Sequence, residues 1–146
     1  MRAQVRQIVK AKPGAVMEMT AYENIPKWSV KFRDLEVIDR SGSTVKARLR
    51  TRVMGIPLTA VVYGEWLSDR VVEEIRVSDG TVTNEVVVFR EVPEGTMVEW
   101  TGRIVEVGTW TRLLGPLMGK FFEFDVKRDF KQLARYVESL GPEMVC

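Results

Sequence analysis

Histidine is absent from all 146 residues. That excludes a Ser-His-Asp or Cys-His nucleophilic site and removes the commonest zinc ligand. Cysteine occurs once, at Cys146, so no internal disulfide can form and a cytoplasmic location is expected. A lone thiol with no partner motif reads as a frayed end before it reads as a dimer or metal thiol. No apolar run approaches the ~20 residues of a membrane span. Met1-Arg2-Ala3-Gln4-Val5-Arg6 lacks the apolar core and cleavage site of a secretory signal. No Asp-x-Asp loop is present, so no metal is expected; no cofactor is expected either. Lys and Arg number 22 against 20 Asp and Glu, a net charge of +2. So small a field argues against a nucleic-acid partner. Two Asn and three Gln are few, which suggests a thermophilic source, where labile amides are avoided.

Valine, by contrast, is abundant: 23 residues, many in runs, which favours strands. With 45% hydrophobic and 29% charged residues, the chain has the composition of one globular domain with a sizeable core. Gln4 to Lys10 alternates as a first strand. Lys12-Pro13-Gly14 breaks it, and Ala15–Met19 and Ala21–Asn24 read as two short helices, the second capped by Thr20. Ile25-Pro26 ends them, because the residue before proline resists the α region. A meander follows, with strands over Leu35–Asp39, Thr44–Val53, Leu58–Leu67, Val71–Val77, Val82–Glu91 and Thr96–Val107. Ser41-Gly42-Ser43, Ser68-Asp69, Ser78-Asp79-Gly80 and Pro93-Glu94-Gly95 mark turns, Met54-Gly55-Ile56-Pro57 a turn or irregular start, and Gly64 a bulge or close approach. Gly108–Gly115 is expected to be a link.

The last element is one amphipathic helix from Pro116 to Leu140, about 37 Å long at 1.5 Å per residue. Gly119, Phe122, Val126, Phe130, Leu133, Val137 and Leu140 recur at steps of three and four, and Phe121, Phe124 and Ala134 widen the stripe. Pro116 suits a first helical turn, and Gly141-Pro142 a stop. The fold class expected is therefore α+β: about seven antiparallel strands in a curved sheet, with the long helix across its concave face.

Three stretches resemble the START-like, helix-grip superfamily, also called SRPBCC. They are Tyr22-Glu23-Asn24-Ile25-Pro26-Lys27-Trp28, Gly95-Thr96-Met97-Val98-Glu99-Trp100 and Leu113-Leu114-Gly115-Pro116-Leu117-Met118-Gly119. The likeness spans nearly all of residues 1–146 and is nearest to the coenzyme-Q-binding-like members. It implies one ligand-binding domain with a deep apolar cavity between sheet and helix, and no shared catalytic set, since activities differ among members.

The aromatic surplus is either core or cavity wall. On the second reading the ligand-binding residues are Trp28, Tyr63, Trp66, Met97, Trp100, Met118, Phe122, Val126 and Phe130; Trp110 and Phe121 belong to the same surplus. The resemblance strengthens that reading for Trp100, Phe122 and Val126. Lys46, Arg48, Arg50 and Arg52 share one strand face, either a solvated face or a transient dock for an anionic membrane surface. Carboxylates are the remaining acid–base candidates, with Tyr and Lys behind them. Glu99 and Trp100 must face opposite ways unless a bulge near Gly102 resets the phase; Glu65 and Trp66 pose the same choice; of Glu73 and Glu74, one points inward or lies at an edge. The expected function is binding or carriage of a hydrophobic small molecule: a lipid, an isoprenoid or a quinone-like compound. Opening is expected at Gly108–Gly119 and the loops at Gly55 and Gly80, where glycine permits hinge motion. The alternatives are a cyclase-, dehydrase- or aromatase-type enzyme using a pocket carboxylate or tyrosine, and a protein-interaction module.

Overall fold

The computed structural model describes residues 2–53, 55–115 and 117–140, the side chains of Val53 and Met118 excepted. Strand β1 (Arg2–Val9) leads into helix α1 (Pro13–Met19) and a 3-10 turn over Ile25–Lys27. Strands β2 (Glu36–Ser41), β3 (Thr44–Val53), β4 (Ile56–Trp66), β5 (Arg70–Val77), β6 (Val82–Val92) and β7 (Gly95–Glu106) follow, then α2 (Thr109–Leu114) and α3 (Leu117–Ser139). All seven strands form one antiparallel sheet in the order β1-β7-β6-β5-β4-β3-β2. The alternation predicts this meander, and β1 closes onto β7 at the far edge.

Four expectations change. Ala21–Asn24 is turn, not helix; the second helical piece is the 3-10 turn at Ile25–Lys27, where Pro26 sits in the first turn and its missing N–H costs nothing. Thr20 does not cap that piece; its hydroxyl donates back to the Met17 carbonyl at the end of α1. Gly108–Gly115 is not a bare link, because Thr109–Leu114 forms α2. Phe124 leaves the apolar stripe and is 65% exposed. The expected roles of Pro116, Gly141-Pro142 and Cys146 lie outside the described residues.

Helix α3 makes its close contacts with β1, α1 and α2. Phe130, Leu133, Ala134 and Val137 are buried there against Val5, Val9, Val98 and Trp100. At about 1.5–3 kcal/mol per large side chain, that seam holds the rod by several kcal/mol. A smaller cluster of Tyr22, Val45, Ala47 and Val62 closes the opposite side. Between the two clusters the strands β3 to β6 curve away, and the helix does not follow them.

Candidate functional site

The gap left there is a cavity of about 210 Å³. That is many times the room one ordered water needs, so a sizeable organic molecule fits. Its floor is the inward register of five strands: Leu49 and Thr51 of β3, Leu58, Ala60 and Val62 of β4, Val71, Glu73, Ile75 and Val77 of β5, Thr83, Glu85, Val87 and Phe89 of β6, and Trp100 of β7. Phe122, Val126, Asp129 and Phe130 of α3 form the roof, and Trp110, Thr111 and Leu114 of α2 one end.

Of the residues expected to bind ligand, Trp28, Trp66, Trp100, Phe122, Val126 and Phe130 line this cavity. All four tryptophans of the chain do so, Trp110 included. Tyr63 and Met97 do not. Tyr63 alternates with Val62 and Gly64 and lies outside under the Lys46 ammonium, 5.6 Å from the ring centroid. Met97 alternates with Val98 and faces away from the cavity, opposite Ile8 and Arg90. Their outward orientation follows from strand phase, which Trp66 and Trp100 already set. The side chain of Met118 lies outside the described residues.

One row across the sheet is polar. Register pairs Gly64 with Glu73, Glu73 with Glu85, and Glu85 with Gly102. Of the adjacent Glu73 and Glu74, Glu73 turns inward, and Glu74 pairs outside with Arg76 at 3.0 Å. Tyr22 reaches over Gly64 to donate its hydroxyl to Glu73 Oε2. A Cβ at residue 64 would overlap the phenol oxygen, which is the close approach that glycine permits. No register shift occurs at Gly64. Gly102 does the same for Trp100, whose indole ring occupies the space a Cβ would need and whose N–H is offered to Glu85. Thus each glutamate has its donor, and each donor lies over a glycine.

Burial pushes the carboxyls of both Glu73 and Glu85 up. Glu85, raised further by the charge of Glu73, reaches about 8. Two such groups side by side do not both ionise at neutral pH, so the row can give and take a proton. Burial, and then Glu73, also push the Tyr22 phenol up, so it stays a donor. Tyr22 is fixed edge-on against Trp66, centroids 6.0 Å apart.

Opposite the row stand Lys31 and Asp129. Burial lowers the Lys31 ammonium, while Asp129 and Glu85 pull it back up. Lys31 pairs with Asp125 of α3, which also accepts from Arg128 Nη2 at 2.5 Å. Burial pushes Asp129 up, against the pull of Lys31 and Arg128. Glu99 and Glu65 face outward, Glu99 near Arg6 and Arg90 at 3.8 and 3.5 Å. No bulge at Gly102 resets that phase. The outer basic face of β3 is partly neutralised, with Arg48 on Glu36 at 3.3 Å.

The end of the cavity at α2 is pinned. Asp79 Oδ1 accepts from Thr81 N at 2.9 Å, and Oδ2 accepts from Thr111 N at 3.2 Å. Thr81 and Thr111 hydroxyls share a bond of 2.7 Å, and Gly108 N donates to Thr81 Oγ1 at 3.0 Å. Any Cβ on Gly108 would strike the Asp79–Thr81 backbone, so that glycine serves close packing.

No family model and no curated protein matches the chain. Solved structures do. TTHA0849 from Thermus thermophilus is 21% identical, with 97% of this chain and 100% of that one covered and a TM-score of 0.83. A START superfamily protein from Mycobacterium smegmatis is 14% identical over 97% and 98%, with a TM-score of 0.74. DynU16, from the dynemicin biosynthetic locus, is 12% identical over 98% of this chain and 49% of its own, with a TM-score of 0.70. Among the described residues no helix is long and apolar enough to cross a membrane. A seven-stranded sheet gripping one long helix over an apolar hollow, matched end to end by these structures, gives this chain the START-like helix-grip fold.

Proposed function

We propose that the protein binds an apolar small molecule, of the lipid, isoprenoid or quinone-like kind, in the cavity under α3. The observation that carries this is the wall itself: four tryptophans, with Phe89, Phe122 and Phe130, around a hollow that none of the described side chains fills. Removing apolar ligand surface from water supplies roughly 25 cal/mol per Å², before the costs of association. Native mass spectrometry of protein purified from its own host is the test. A mass adduct that vanishes on denaturation supports the reading. Empty protein that also fails to take up an apolar fluorescent probe ends it.

A second reading has its own observation. Tyr22, Glu73 and Glu85 bring a phenol and two carboxyls into the same hollow. That set would suit proton transfer on a carbonyl-bearing substrate, as in a cyclase, dehydrase or aromatase. Its test is turnover of a model poly-β-ketone, with Glu85→Gln losing at least about a hundredfold in kcat. Turnover unchanged in that variant would remove this reading and leave the first intact.

A further inference from the structure

The polar row is rich in acceptors and poor in donors. Glu73 receives the Tyr22 hydroxyl, and Glu85 is offered the Trp100 N–H. Even with one proton held between them, the two carboxyls present more acceptor sites than these donors fill. A third carboxylate completes the imbalance. Asp129 lines the same cavity, is only 5% exposed, and its Oδ1 has no hydrogen-bond donor among the described residues. Arg128 approaches that oxygen no closer than 3.9 Å. Lys31 is the one cationic side chain among the described lining residues, and its ammonium is taken by Asp125, which does not line the cavity.

A buried polar atom without a partner costs free energy that a ligand can recover. A ligand meeting three carboxyls, with the one lining cation already engaged by Asp125, gains most by bringing N–H groups and positive charge. Trp66 and Trp100 beside the row add ring faces that attract a cation. We infer that the ligand is an apolar molecule with a cationic amine head, which docks on Glu73 and Glu85 with Asp129 facing it. This deepens the apolar-ligand reading above and rests on it. An ammonium seated there favours the ionised row, so the proton held by the glutamates leaves to solvent as the amine enters. Glu85 is faced by Glu73 from β5, Trp100 from β7 and Lys31 from the segment before β2, with Tyr22 on Glu73 and Asp129 on α3.

Octylamine, octanol and octanoate share one chain and differ only in the head, so titration of each into the full protein separates head from tail. Octylamine is expected to bind at least about tenfold tighter than octanol, with octanoate weakest, a gap of one charge-assisted contact. Its affinity should rise from pH 6 to pH 8 by up to about tenfold per unit, with proton release measurable by calorimetry in two buffers. Glu73→Gln with Glu85→Gln should bring amine and alcohol within about twofold of one another. Should that double variant not fold, the head-group order and the proton release in the unaltered protein still decide. Octanol equal to octylamine, or octanoate tightest, overturns the amine head and leaves the apolar cavity standing. If none of the three binds, both readings fall.

Discussion

Glu73 on β5 and Glu85 on β6 stand directly opposite one another in the ladder, both on the concave face. Like charges so placed repel, and burial penalises each. The folded protein therefore keeps a proton on Glu85 up to about 8, whereas the unfolded chain loses it near 4.5. The native state binds more protons across that window, so stability must fall as pH rises through it. Denaturant melts from pH 5 to 9 should show a decline no steeper than about 1.4 kcal/mol per unit for one proton, flattening above 8. Glu85→Gln should reduce the slope to what Glu73 and Asp129 contribute, and be the more stable protein at pH 9. A curve for the parent that is flat, or rises, across this range would contradict the pairing.

Gly64 and Tyr22 form the second coupled pair. Alanine at 64 would drive its methyl into the phenol and dislodge the donor from Glu73. We expect Gly64→Ala to cost about 1–3 kcal/mol, the range for overpacking or a stranded buried acceptor. Tyr22→Phe should cost a similar amount through the lost hydrogen bond alone. Because both act on one contact, the double variant should cost less than the sum, by at least about 0.5 kcal/mol. Strict additivity in urea melts would show that Gly64 is not there to admit Tyr22.

Much of the fold is legible in the sequence because one face of each strand is wet. Thr44–Val53 alternates without a fault, and its structure has the same bounds. Trp28, Trp66 and Trp100 stand out as large apolar groups near the elements that grip the helix. The polar row does not. Glu85 is followed by Val86, Val87 and Val88, a run with no alternation, so its phase cannot be read from neighbours. Glu73 beside Glu74 tells only that one faces in. Asp125 and Asp129 sit among Lys127 and Arg128 on a helix, where charge normally means solvent, yet both are buried because Lys31 comes from a distant turn to meet Asp125. Tyr63 and Met97 miss the cavity for a different reason: strand phase overrides residue type.

Filling the hollow should separate binding from folding. Ile75 lines the cavity floor and is only partly buried, so a larger side chain there has room to enter. Ile75→Trp should weaken any apolar ligand by at least about tenfold while the melting temperature stays within a few degrees. The check is a displacement titration beside a thermal melt. Undiminished binding in a folded variant would place the ligand elsewhere.

With all four tryptophans on the wall, intrinsic emission reads occupancy without a label. Ligand entry displaces water from around the rings, so emission should shift to shorter wavelength and saturate at one molecule per chain. An emission spectrum unmoved at saturating ligand would mean that the rings and the ligand do not meet.

Asp79 controls how firmly the α2 end stays shut. Its hydrogen bonds from Thr81 and Thr111 outweigh partial burial and hold its carboxyl below the usual range. Asp79→Ala strands Thr81 N and Thr111 N, which should cost about 1–3 kcal/mol and free α2 from the β5–β6 turn. Because α2 carries Trp110, Thr111 and Leu114 on the cavity wall, ligand escape should quicken by at least about fivefold. Asp79→Asn keeps an acceptor oxygen for one of the two amides and should fall between. Stopped-flow displacement measures the escape rate directly. A rate unchanged in Asp79→Ala, with the melting temperature lowered, would mean that the ligand does not leave by the α2 end.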